Sequence, residues 1–213
     1  MKTRQSILLY GAGGHGKVVA DMIETGGKYT IAGFVDDHRN GNFYGYPILG
    51  TGDDLSSILA KGVKTAIVSI GDAAARMDAE RRLRIAGFLI ATIIHPSAQI
   101  ARTAILGEGT VVMPHAVVGP DTHVAAGCII NTAATVDHDC NLEEGAHIAP
   151  GAHLAGGVTV GRESHIGIGC SVKEGISIGK RVMVGAGSVV VESLPSDCIA
   201  YGVPAKPVRG KSA

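Results

Sequence analysis

The chain holds no tryptophan, and only 4% of its residues are aromatic. A core without large rings has to be filled by Val, Ile, Ala and Gly, which suits thin, repetitive β structure better than a bulky sandwich. Neither sign of charge is in excess: 19 Lys and Arg balance 19 Asp and Glu. The absence of a basic block argues against a nucleic-acid partner. No run of about 18 apolar residues is present, so no membrane span is expected. The apolar stretch Ile7–Tyr10 is too short, and too soon interrupted by glycines, for a secretion signal. Cys128, Cys140, Cys170 and Cys198 form no C-x-x-C pair, which argues against a zinc knuckle or a redox motif. They read as reduced packing residues of a cytoplasmic protein.

What is present is enough to bury a core, at 46% hydrophobic and 18% charged residues, and it is periodic. Stepping by six from Ile94 gives Ile100, Leu106, Val112, Val118, Val124, Ile130, Val136, Leu142, Ile148, Leu154, Val160, Ile166, Val172, Ile178, Val184 and Val190, aliphatic throughout. Two residues before these, small side chains dominate, as at Ala98, Ala104, Ala116, Cys128, Ala134, Cys140, Ala146 and Ala152. One residue after, glycine is frequent, as at Gly107, Gly119, Gly161, Gly167, Gly179 and Gly185. This is the hexapeptide pattern of a parallel β-helix. Three hexads make one triangular coil, so residues eighteen apart should stack, with the aliphatics inside and about five coils in all. A β-sandwich would instead show period-two alternation and irregular turns.

Residues 1–94 obey other rules. Ser6–Tyr10, Thr30–Val35 and Thr65–Ile70 read as strands, and Gly14–Thr25 and Ala73–Ala86 as helices. Asp53 is expected to cap a further helix running to about Lys61. Alternation of this kind predicts a small Rossmann-like parallel sheet of three or four strands with crossovers. The boundary falls near His95-Pro96, giving an α/β domain over 1–94 and an all-β domain over 95–213.

Gly11-Ala12-Gly13-Gly14-His15-Gly16 follows a strand and opens a helix, with Asp36 and Asp37 about 20 residues on, as in a dinucleotide-binding fingerprint. Glycines let the backbone approach a diphosphate, and the helix start offers N–H donors. The domain is too short for a dehydrogenase. A phosphate-binding loop of the NTPase kind is excluded because Val18 stands where a Mg²⁺-binding hydroxyl is required. A site for a diphosphate-bearing ligand survives.

Among nine histidines, His123, His147, His153 and His165 each precede an inward aliphatic and are expected at hexad corners. His147 and His165 are eighteen apart and should stack, but no third metal ligand is evident and no metal is expected. His138 lies between Asp137 and Asp139. Neighbouring carboxylates raise the basicity of an imidazole, which suits a general base; a solvent-facing polar turn is the alternative. His138 and His147 are half a coil apart, on different sides of the prism, and could share a site only across a subunit interface. Three flat faces suit a cyclic homotrimer.

Taken together, Tyr10–Gly16, Asp36-Asp37, Ile70-Gly71-Asp72, Ile94–Ala98, Asn131-Thr132, Asp137–Cys140, Ala155-Gly156-Gly157 and Gly202–Lys206 resemble the nucleotide-sugar acetyltransferases of the left-handed β-helix class. The bacillosamine-pathway and perosamine N-acetyltransferases and the sialic acid O-acetyltransferases are the kin in question. The resemblance implies the left hand of the β-helix and transfer of an acetyl group from acetyl-CoA to an amino group, at C4, of a nucleotide-linked sugar for bacterial surface glycans. It makes His138 the base, Asp139 its orienting carboxylate and the Gly156 N–H the oxyanion donor. Gly13, Gly14, His15, Asp36, Asp37, Gly71 and Asn131 would hold the nucleotide sugar. In the acetyl-CoA site between subunits, His147 would lie near the acetyl thioester, and Ile168, Gly185, Ala186 and Gly187 would lie along the pantetheine arm. Cys140, at a small inward position, reads as packing, so no acyl-enzyme is expected. O-acetylation of sialic acid and a non-catalytic nucleotide-sugar-binding module remain as alternatives.

Overall fold

The structure, a computed structural model, describes residues 4–210. The chain divides into two compact units, Met1–Pro96 and Ser97–Ala213.

In the first unit, strands β1 (Gln5–Tyr10), β2 (Tyr29–Val35), β3 (Asn42–Phe43), β4 (Tyr46–Gly50), β5 (Thr65–Val68) and β6 (Leu89–Ile90) alternate with helices α1 (Gly14–Gly26), α2 (Leu55–Ala60) and α3 (Ala73–Ala86). The sheet order is β3-β4-β2-β1-β5-β6, with every pair parallel except β3–β4. Five parallel strands and one antiparallel edge strand thus replace the three or four expected. The extra strands are short edge elements with little pattern of their own. Because β1 lies between β2 and β5, the connections leave it in opposite directions. The crevice at its C-terminal end is therefore a topological switch point, where open α/β sheets bind ligands.

Helix ends follow local chemistry. Asp72 caps α3 by accepting from the Ala75 N–H at 2.9 Å. Left-handed Gly27 and Gly87 close α1 and α3. Asp53 does not cap the second helix, contrary to expectation. Thr51 instead caps the 3₁₀ turn over Gly52–Asp54, in a capping box with Asp54, and α2 follows directly from Asp54 with no side-chain cap of its own.

The second unit is a β-helix with three parallel sheets. One, here called the histidine face, stacks Val111–Val112, Ile129–Ile130, His147–Ile148, His165–Ile166 and Met183–Val184. The second stacks Gln99–Ile100, Val117–Val118, Thr135–Val136, His153–Leu154, Ser171–Val172 and Val189–Val190. The third runs from Ile105–Leu106 to Ser177–Ile178. Partners are eighteen residues apart, as with Ile129, His147 and His165. Each strand has two residues, so one side chain points in and its neighbour points out. The aliphatic series from Val112 to Val190 is at most 3% exposed. Ile100 and Leu106 are half-buried, since an end coil has a neighbour on one side only. Ile94 departs from the expected inward position: it falls in the first unit and is 42% exposed.

The histidines expected at corners lie instead on the flat faces, each as the outward residue of its strand. The corners come two and three residues after each aliphatic. From Gly109 to Gly187 every sixth residue has a positive φ, including His115, Asp121, Ala133, Asp139, Glu163 and Arg181. Left-handed backbone at a fixed point in each corner turns the chain onto the next face.

The small inward residues have a polar duty as well. Hydroxyls of Thr110, Thr122 and Ser164 donate to the carbonyls of Ala125, Asp137 and Gly179, fifteen residues on. Cys128, Cys140 and Cys170 thiols do the same toward Glu143, Ala155 and Gly185. The carbonyls that lead into the corners are thereby satisfied from inside the prism.

Candidate active site

The switch-point crevice of the first unit is a cavity of about 460 Å³. It is lined by the glycine loop after β1, by Asp36–Arg39 after β2, by Ser69–Gly71 after β5, and by Ala75, Asp78, Ala79 and Arg82 of α3. The loop is tightly held. Asp36 accepts from the Ala12 N–H at 2.7 Å and from the His38 N–H at 2.9 Å, and the Ser69 hydroxyl donates to the Gly11 carbonyl at 2.8 Å.

The glycines divide by role. Gly11 has φ +116°, and a Cβ there would lie 2.6 Å from the Ile70 side chain. A Cβ on Gly16 would lie 2.4 Å from the Gly11 carbonyl oxygen. Those two let the turn close. Gly13 and Gly14 face open space, with nothing within 4 Å of a Cβ. They leave bare backbone at the start of α1 beside the cavity.

Asp37 is the centre of a network. It accepts from the Gly52 N–H at 2.7 Å, the Tyr10 hydroxyl at 2.9 Å and Arg82 at 3.0 Å. Burial works to raise its carboxyl, but these donors together bring it below the usual carboxylate range. Burial first and Asp37 second push the Tyr10 phenol well up, so it stays protonated. His15 has a buried Nε2 without a hydrogen-bond partner among the described residues. Its pKa is lowered to about 4, by burial and then by Arg76, so the ring is neutral at pH 7. Gly13, Gly14, His15, Asp36, Asp37 and Gly71, all named from the sequence, thus converge on one cavity. Tyr10 and Arg82 were missed. Ala75, Asp78, Ala79 and Arg82 do follow helical i, i+3, i+4, i+7 spacing, a stripe legible in retrospect.

On the β-helix, His138-Asp139 forms one corner and Gly156-Gly157 the corner on the next coil, joined by the Gly157 N–H donating to the His138 carbonyl at 2.9 Å. Left-handed Asp139, φ 58°, brings its carboxylate to 2.7 Å from His138 Nδ1. That hydrogen bond first, and the Asp137 charge second, raise the His138 pKa above its ordinary value. Both side chains are more than half exposed. The imidazole lies on Gly156: a Cβ there would stand 2.5 Å from Cε1 and 2.6 Å from Nε2. Among the described residues no acceptor takes the Gly156 N–H. Thr122 holds the turn from within, donating to the Asp137 carbonyl at 2.6 Å.

A second group sits elsewhere on the prism. His147 is on the histidine face, its ring 4.5 Å edge-to-face from that of His165 and its Nε2 3.0 Å from Asn131 Nδ2. Asn131 therefore stands with His147 on the β-helix and does not line the cavity of the first unit. Ile168, 60% exposed, and Ala186-Gly187 form successive corners after that face, linked by the Gly187 N–H donating to the Ile168 carbonyl at 2.8 Å. Gly185 packs on Tyr201. The buried Cys140 thiol donates to a carbonyl and is pushed up by burial, which makes it a poor nucleophile.

Residues 6–83 match the PglD N-terminal domain family. The acetyltransferase domain of PglB from Neisseria gonorrhoeae FA1090 is 40% identical and superposes with a TM-score of 0.92 over 96% of this chain and 100% of that one. PerB from Caulobacter crescentus, solved in complex with CoA and GDP-perosamine, is 38% identical, with a TM-score of 0.94 over 97% and 99%. The chain belongs to the hexapeptide-repeat nucleotide-sugar acetyltransferases. The β-helix of this family member is left-handed, and its class of chemistry is acyl transfer. A curated relative, UDP-N-acetylbacillosamine N-acetyltransferase of Bacillus subtilis (strain 168), is 35% identical over 110 residues, a match spanning 50% of each chain.

Proposed function

We propose that this acetyltransferase moves the acetyl group of acetyl-CoA onto the amino group, at C4, of a sugar carried on a nucleoside diphosphate, for surface glycan assembly. The observation that carries the reading is the His138–Asp139 pair seated on Gly156. Asp139 accepts the Nδ1 proton, which leaves Nε2 unprotonated as the basic atom. The neutral amine attacks the thioester carbonyl, and the proton it sheds as the C–N bond forms goes to Nε2. The Gly156 N–H donates to the developing oxyanion. The C–S bond then breaks, and the CoA thiolate takes the proton from the imidazolium. Both substrates bound together allow this direct transfer without a covalent acyl-enzyme.

The glycine-loop cavity fits a nucleoside diphosphate. Gly13 and Gly14 leave backbone N–H groups open at the start of α1, and neutral His15 can share a proton with a phosphate or sugar oxygen. Asp36 and Asp37 spend oxygens on protein donors and offer the remaining lone pairs to hydroxyls. The exposed, side-chain-poor corner at Ile168 and Ala186-Gly187 suits a pantetheine arm. It is a different corner of the prism from His138, which favours a homotrimer with each transfer site between two subunits; acetyl-CoA and nucleotide sugars as substrates suit a cytoplasmic enzyme. A monomeric mass by light scattering would remove that arrangement. The activity is tested by thiol release from acetyl-CoA against UDP-, GDP- and dTDP-linked 4-amino sugars and free sialic acid. Turnover on one amino sugar is expected. Turnover on sialic acid alone would replace N- by O-acetylation, and silence throughout would reject catalysis.

A further inference from the structure

Asn131 and His147 lie on adjacent coils, with Asn131 Nδ2 3.0 Å from His147 Nε2. Which atom donates is decided at the other end of the amide. Asn131 Oδ1 accepts from the Thr132 N–H at 2.8 Å, and the Thr132 hydroxyl lies 3.4 Å away. A backbone N–H can only donate, so the amide atom facing it is the oxygen. The atom facing the ring is then the NH₂, which has hydrogens to give and no lone pair to offer. His147 Nε2 must therefore present its lone pair. A proton there would set two donors against each other on a half-buried face.

We propose that Asn131 is a positioning residue that holds His147 as the neutral tautomer with its proton on Nδ1. The His165 ring, edge-on at 4.5 Å from the next coil, restrains the plane of the imidazole while the amide selects its protonation state. The functional consequence rests on the reading that His147 lies beside the acetyl thioester: an uncharged ring there leaves the electrostatics of the acyl group to the Gly156 N–H and the His138 base.

Long-range ¹H–¹⁵N correlation spectra of the full chain labelled with ¹⁵N-histidine report the state of each ring, and His147→Gln identifies its signals by their loss. At neutral pH the wild-type His147 is expected to carry a proton on Nδ1 alone. Asn131→Asp preserves shape but can only accept, so Nε2 should gain a proton. A wild-type ring protonated at Nε2 overturns the proposal, as does a ring state unchanged in Asn131→Asp when circular dichroism shows the same fold. Acetyl-CoA affinity, measured on both proteins by calorimetry, is expected to fall in the variant. If the ring state changes as expected but affinity and kcat/KM do not, the tautomer assignment stands and the placement of His147 beside the thioester is what fails.

Discussion

The imidazole of His138 rests on Gly156 of the neighbouring coil, so closely that a single methyl group would collide with the ring edge at 2.5 Å. Gly156→Ala should therefore displace the base while sparing the stacked core. A misplacement of the order of 1 Å costs about 10²-fold in rate. Steady-state kinetics should show that loss in kcat, with a thermal midpoint near that of the wild type. Undiminished kcat would show that the ring has room to move.

Replacing the base itself should be more severe. His138→Ala is expected to lower kcat by about 10²–10⁴-fold, the usual contribution of a general base. Acetyl-CoA binding, measured by calorimetry, should persist. Near-normal turnover would reject the role of His138.

The pH profile separates Asp139 from a mere turn residue. The base works deprotonated, and Asp139 raises the His138 pKa. Activity should thus decline as pH falls through that raised value. Asp139→Asn keeps a residue that tolerates left-handed backbone but loses the charge. The acidic limb of kcat/KM should move to lower pH in this variant, with a lower plateau. A limb that stays in place would mean that another group sets it.

The glycine loop offers a contrast between support and contact. Gly16→Ala puts a Cβ 2.4 Å from the Gly11 carbonyl oxygen and should destabilise the first unit by about 1–3 kcal/mol in urea titration. Gly13→Ala meets nothing within 4 Å. It should leave stability nearly unchanged and weaken nucleotide-sugar binding. Equal effects on stability would show that the open space at Gly13 is not kept for a ligand.

Thr122→Val removes the hydroxyl that donates to the Asp137 carbonyl and accepts from the Cys140 N–H at 3.3 Å. Stranding these buried backbone groups should cost about 1–3 kcal/mol of stability. The turn carrying His138 is held by that hydroxyl, so kcat should fall along with the urea midpoint.

Much of this was legible in the chain. The hexad is visible because two-residue strands force the same side chain inward at every sixth position, and stacking at eighteen follows from three faces. The left-handed corners were not legible: His115, Ala133, Glu163 and Arg181 adopt them alongside glycine, so composition carries no mark. The β3–β4 hairpin escaped because its strands are short and Tyr44-Gly45, both at positive φ, fill the two-residue turn without the usual asparagine. His138 and Asp139 stood out as adjacent residues. Tyr10 and Arg82 did not, since they meet Asp37 only after two crossovers bring β1, β2 and α3 together.

Stacking at intervals of eighteen gives the second unit a gauge like that of a screw thread. Removing or adding whole turns of chain leaves every later side chain pointing where it did, whereas a change that is not a multiple of eighteen residues swaps inside for outside or one face for another. Base, carboxylate and oxyanion donor are written on two consecutive turns, so they travel together through any such whole-turn edit made above or below them. The length of the thread is free to vary with whatever lies beyond its ends; its pitch is not.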